Sequence, residues 1–397
     1  MSRWQKRVKA NNIPEGWTKC RLGDIADIKM GQSPKSESYN DSGEGLPFLQ
    51  GSRTFGSRYP LIDTYCTDPK IIANEGEILF SVRAPVGNIN IADKKICIGR
   101  GLASLNAKNQ QNLFLFYLLH FIKDDIINLE SGTVFGSVNK KDLESVPILL
   151  PPLPEQRAIA SIFPPIEDKI DLLRQENETL YNMINTLFKQ WFIKEAKEDW
   201  EEVPLINSDL AVLIKNGVHP FEGEKLYIET NNIDEFNING GKFVTFKNKP
   251  SRAVMEPVPF SVWFAKKKGT QKTVMFDNNF GGIDKIILSN AFVGLKTTEL
   301  SHYYIWCYVM SPQFQKTKDA LASGSVQPDI TKKELERLTI LKPDEKTLIE
   351  FNSIVKDLFA KIFSNKQQIQ TLSQLFDTLL HGLMSGKLRV DDVLCQS

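Results

Sequence analysis

Two stretches of this sequence carry side chains suited to reading a polar, charged partner. The first is Gln50-Gly-Ser-Arg-Thr54, which supplies Gln50, Ser52, Arg53 and Thr54. Gln32, Ser33, Arg58, Arg83 and Arg100 occur in similar surroundings, between short β-type runs. The second is Lys266-Lys-Lys-Gly-Thr-Gln-Lys272, which follows a strand-like run and supplies Lys266, Lys267, Lys268 and Lys272. Asn231, Asn232, Asn278 and Asn279 add amide donors. Arginine forks suit guanine edges, and glutamine or asparagine suits adenine. Lysine, arginine, serine and threonine suit phosphates. The chemistry these residues offer is recognition of a nucleic acid, although each position alone also fits a solvated surface. The basic arm Arg3, Lys6, Arg7 and Lys9 could contact phosphate, but reads better as a disordered terminus.

Marks of catalysis are missing from the sequence. It holds neither a GxxxxGK[ST] phosphate loop nor the Asn-Pro-Pro-Tyr or Asp-Pro-Pro-Tyr of an amino-methyltransferase. Pro328-Asp329 followed by Glu334 lacks the Glu-x-Lys of a nuclease core and reads as a turn before a helix. Four scattered histidines and five distant cysteines form no metal-ligand spacing and no CxxC pair. The expectation is therefore no catalytic residue, no metal and no cofactor of the chain's own. Reduced thiols suggest the cytoplasm. MSRWQKRVKA has no apolar core for a signal peptide, and no run approaches a membrane span. A net charge of +1 excludes little, because a basic patch can hide in a neutral total.

The elements that must position these loops are written twice. SGTVFGSVNKKDLESVPILLP from Ser131 aligns without a gap on SGSVQPDITKKELERLTILKP from Ser323, 192 positions on. The match continues into the helical stretches that follow, so a whole globule plus a helix is duplicated. Each opening carries a tryptophan, Trp17 and Trp200, expected as a core residue at the globule's edge. Strand-like runs (76–83, 89–92, 95–98) and an apolar helix (113–128) fill the first globule. Runs at 225–229, 242–246, 260–264 and 285–288, then a helix from His302 to Met310, fill the second. The expected domains are 1–150, a helical region 151–198, a second globule 199–342 and a second helical region 343–397. The expected fold class is α+β, with two mixed globules separated by two long helices in an antiparallel coiled coil and a pseudo-two-fold internal repeat.

The helical regions carry a heptad seam. Ile166, Leu173, Leu180 and Leu187 alternate with Ile170, Asn177, Ile184 and Trp191. In the second region Leu358, Asn365, Leu372 and Leu379 alternate with Ile362, Ile369, Phe376 and Leu383. An antiparallel pairing in which facing residues have numbers of constant sum sets Asn177 against Asn365. Their mutual hydrogen bond is expected to fix register, since a buried unpaired amide costs about 1–3 kcal/mol. Pro164-Pro165 are expected to break the first helix. That leaves a rod of about 40 Å, close to the ~34–36 Å of one duplex turn.

At this point the residues resemble a known family. PPLPEQRAIASIF (Pro151 to Phe163), preceded by the KKDLESVPI run, is similar to the conserved region of specificity subunits of type I restriction-modification systems. So are Met30-Gly-Gln-Ser-Pro34, in the place of a Gly-Gly-Thr-Pro turn, the strand 76–82, and Cys97-Ile-Gly-Arg-Gly-Leu-Ala103. The likeness runs from Trp17 to Leu388. The second copy departs from it at Pro343-Asp-Glu-Lys-Thr-Leu348 and at Asn216-Gly-Val-His-Pro220. The resemblance implies a non-catalytic reader of double-stranded DNA with two target-recognition domains, one for each half of a bipartite, asymmetric target. It implies two modification (methyltransferase) subunits docked on the helices and binding S-adenosylmethionine, with restriction (translocase-nuclease) subunits completing the assembly. The competing class is a coiled-coil scaffold whose globules bind proteins.

Overall fold

A computed structural model of the 397-residue chain describes residues 13–128, 137–234, 237–278, 280–322 and 328–390. It divides into two compact units, one formed by the chain up to 172 with 368 onward, the other by 173–367.

In the first unit, Thr18–Arg21 pairs antiparallel with Pro147–Leu150. A four-stranded antiparallel sheet runs in the order Ala26–Met30, Leu102–Ala107, Ile78–Ser81, Ile89–Ile91. A second sheet of five short strands has a parallel pair at its heart, Leu46–Leu49 beside Ile96–Ile98. Ile78–Ser81 and Ile96–Ile98 are buried along their whole length. Both their faces are covered, so they read as nearly continuous apolar runs, broken only by the buried Ser81. The helix Asn112–Ile127 lies in the same core as Ile78, Phe80 and Leu105.

The second unit repeats the plan. Glu201–Pro204 pairs with Thr339–Lys342. The four-stranded antiparallel sheet is Ala211–Leu213, Phe292–Thr297, Ser261–Ala265, Thr273–Phe276. In the other sheet Lys225–Ile228 runs parallel to Ile286–Ser289. The apolar helix is His302–Met310, and Pro312–Leu321 follows it. Trp17 and Trp200 are both buried, and each indole donates to a carboxylate: Glu155 at 3.0 Å and Asp344 at 3.1 Å.

The long helices span Leu153–Lys189 and Glu345–Met384, and a π-helical turn, Gln190–Lys194, extends the first. Pro164 and Pro165 do not break it: both lie inside the helix. Adjacent prolines delete two neighbouring ladder bonds in a 37-residue helix. Burial of Ile159, Ala160 and Phe163 on that stretch offsets the loss. In the first unit Phe163 packs edge-on against Phe376, and Glu155 pairs with Arg389 at 3.1 Å. In the second, Trp191 meets Phe351, Tyr181 meets Phe359, and Asn177 meets Asn365. In both units the numbers fall on one helix as they rise on the other, so the segments run antiparallel. Asn365 Nδ2 donates to Asn177 Oδ1 at 3.0 Å and to Glu176 Oε2 at 2.9 Å, with both amides buried. Among the described residues no helix is long and apolar enough to cross a membrane, and Cys20, Cys66, Cys97 and Cys307 are free thiols.

Candidate nucleic-acid interface

In the first unit the parallel strands Leu46–Leu49 and Ile96–Ile98 end on the same edge, so the loops that follow them emerge side by side. Gly99 donates its N–H to the Leu49 carbonyl and Gly101 to that of Gln50. A Cβ at Gly31 would collide with the Gly99 carbonyl, so only glycine lets these turns close up. Ser33 links the loops. Gln50 Nε2 donates to its Oγ at 2.8 Å, that hydroxyl donates back to Gln50 Oε1 at 3.0 Å, and Arg100 N–H donates to it at 3.2 Å. Val82 N–H bonds the Gly101 carbonyl, which brings the loop carrying Arg83 to the same edge. Asn88 Nδ2 donates to Ser52 Oγ at 3.0 Å. Gln32, Gln50, Arg83 and Arg100 are exposed there, with Ser33 and Ser52 half-buried.

Arg58 does not join them. Its guanidinium turns onto the long helix, 2.9 Å from Glu167, 3.0 Å from Asp168 and 3.4 Å from the Pro164 carbonyl. Tyr117 donates to the same Glu167 at 2.6 Å. Arg58 is a brace between loop and helix. Arg53 is exposed but pairs with Asp63 at 2.6 Å. That hydrogen bond holds the Asp63 carboxyl below its usual range. Thr54 is half-buried, its carbonyl accepting from Leu61.

In the second unit Lys225–Ile228 and Ile286–Ser289 again end on one edge. Asn231 is exposed in the turn Thr230–Asn232, which Asn232 caps through Glu229 N–H at 3.0 Å. Lys266, Lys267, Lys268 and Lys272 lie in the hairpin loop between Ser261–Ala265 and Thr273–Phe276. Lys267 and Lys268 are exposed, while Lys266 and Lys272 are half-buried. Burial draws the Lys266 ammonium below its usual range, with Asp329 opposing. Asn278 is exposed after the strand Thr273–Phe276; Asn279 lies outside the described residues.

The two edges correspond atom for atom in places. Ser137 forms a lone β-bridge with Arg83, and Asp329, 192 positions on, forms one with Lys267. Val138 N–H bonds the Val82 carbonyl at 3.0 Å, and Ile330 N–H bonds that of Lys266 at 3.1 Å. Arg83 and Lys267 therefore hold equivalent, exposed positions. Asn88, Lys318 and Asp319 belong to these edges and escape the sequence reading. Only Lys318 left a signal, as the lone charge in the stripe Phe314, Lys318, Leu321.

Residues 14–182 match the family model for the type I restriction modification DNA specificity domain. The putative type I restriction enzyme MjaX specificity subunit of Methanocaldococcus jannaschii is 48% identical over 179 residues, which cover 44% of this chain and 42% of that protein. The chain thus spans less than half the length of this relative. The MjaIX specificity subunit of the same organism is 23% identical over 98% of both chains. The crystal structure of a type I restriction-modification system S subunit from M. genitalium has the same fold, with a TM-score of 0.60 over 94% of this chain and 97% of that one, at 17% identity. The chain is thus similar to specificity subunits of type I restriction-modification systems, most strongly over residues 14–182.

Proposed function

We propose that this chain is a non-catalytic reader of double-stranded DNA, each unit binding one half of a bipartite, asymmetric target. The observation that carries the reading is the repeated edge. A basic side chain, Arg83 or Lys267, stands at the same place in each unit, amid loops whose other donors differ between units. A common scaffold with different donors is what two unlike half-sites require. Glutamine, serine and arginine dominate the first edge, lysine and asparagine the second. The long helices serve as spacer and as docking surface for two modification (methyltransferase) subunits, which bring S-adenosylmethionine. Restriction subunits complete the cleaving assembly, and the free thiols fit work in the cytoplasm.

The test is a gel shift at graded salt with the methyltransferase partner present. Affinity for the cognate duplex should fall steeply with salt as counterions are released. No shift on any duplex would favour a protein-binding scaffold. Sequencing the methylated bases of the host genome would give the target itself.

A further inference from the structure

The basic loop of the second unit is gripped from behind by a charge that faces no solvent. Lys318, on the helix Pro312–Leu321, is fully buried. Its ammonium donates to the carbonyls of Thr270 at 2.8 Å, Lys267 at 3.3 Å and Ala265 at 3.5 Å. An ammonium has three protons to give, and three carbonyls of one turn surround this one. Asp319 holds the same turn, its Oδ1 accepting from Gly269 N–H at 3.0 Å and standing 3.5 Å from the ammonium. The turn so held is the one that exposes Lys267 and Lys268.

Stability alone does not call for a lysine here. A buried charge is costly unless fully partnered, and an apolar residue of similar volume is often no worse. The residue 192 positions earlier in the first unit, Ile126, is apolar and also fully buried. What differs is the loop in front of it.

We propose that Lys318 is a positioning residue for recognition by the second unit. Its ammonium, with Asp319, fixes the backbone of 265–270 so that Lys267 and Lys268 meet their half-site in one geometry. Without that grip the loop would have to be ordered on binding, at a cost to affinity and discrimination. The inference rests on the DNA-reading function proposed above.

The experiment uses the full chain assembled with its methyltransferase subunits. Binding is measured on the cognate duplex, on duplexes substituted in one half-site or the other, and on random sequence. Lys318→Met should cut discrimination at one half-site about tenfold or more, leave the other half-site read as before, and keep the salt slope, since no phosphate contact is lost. Asp319→Ala, at a partly exposed position, should shift discrimination at the same half-site by less. It carries the test should Lys318→Met not fold. Unchanged discrimination in the folded variants would overturn the proposal, as would an equal loss on cognate and random duplexes. A wild-type assembly that prefers no duplex would instead overturn the DNA reading itself.

Discussion

The two units hold equivalent loops by opposite means. In the first, the loop after Ile78–Ser81 rests on the apolar end of a helix. A Cβ at Gly87 would lie 3.0 Å from Ile127 Cδ1 and Lys123 Cγ. In the second, the loop after Ser261–Ala265 wraps its carbonyls around Lys318. Behind both, the sheet order and the bridges to Ser137 and Asp329 are the same. The difference teaches where the copies were free to diverge. The pairing order of the four-stranded sheets is shared, while the parts in front of them differ.

The comparison can be pressed hardest in the cores. Phe163 and Phe351 are each fully buried against partner rings of their own unit. Alanine at either site should cost about 3–5 kcal/mol in denaturant unfolding; a much smaller loss at one would show that the copies do not share their packing. Arg58→Ala should cost about 2 kcal/mol, a buried-pair loss discounted for partial exposure, and leave the salt slope of DNA binding unchanged. A changed slope would return Arg58 to the interface.

Acid sharpens the comparison through one histidine in each unit. Burial holds His120 down to about 4, with Lys123 adding, and His302 down to about 3, against an ordinary value of 6.5. At His302 the Thr297 hydroxyl donates to the Phe260 carbonyl, so it accepts from Nδ1–H at 2.8 Å. Nε2 is left buried with no partner, and protonation would strand a proton there. Both histidines fold neutral. Their contribution is complete above about pH 6.5 and drains away as pH falls through about 4 for His120 and about 3 for His302. His302→Leu should flatten the lower part of the acid-unfolding curve, measured by circular dichroism. The smallest effects belong to the equivalent pair. Arg83→Ala and Lys267→Ala should each lower the salt slope by about one, and unequal changes would mark one of them as a base reader.

The helices were legible in the sequence because a seven-residue period with one polar break survives without knowledge of contacts. Asn177 and Asn365 could be matched from numbering alone. Arg58 could not, because its partners Glu167 and Asp168 lie more than a hundred positions away. The inner strand Leu102–Ala107 was hidden by its small residues, which carry little β-propensity. Pro312–Leu321 was hidden because its buried stripe includes a lysine. The prolines misled because a local penalty was weighed without the burial that outweighs it.

The asparagine layer also decides which helices belong together. The offset of 192 maps Asn177 onto Ile369 and Asn365 onto Leu173. Two first-half helices paired in the same register would set Asn177 against leucine twice, and two second-half helices would set Asn365 against isoleucine twice. Each mismatch buries an amide without a partner, at about 1–3 kcal/mol. Separately expressed halves should therefore choose each other over themselves by more than tenfold in competition, and leucine at both positions should erase the choice. One amide pair lets a duplicated chain tell self from sibling.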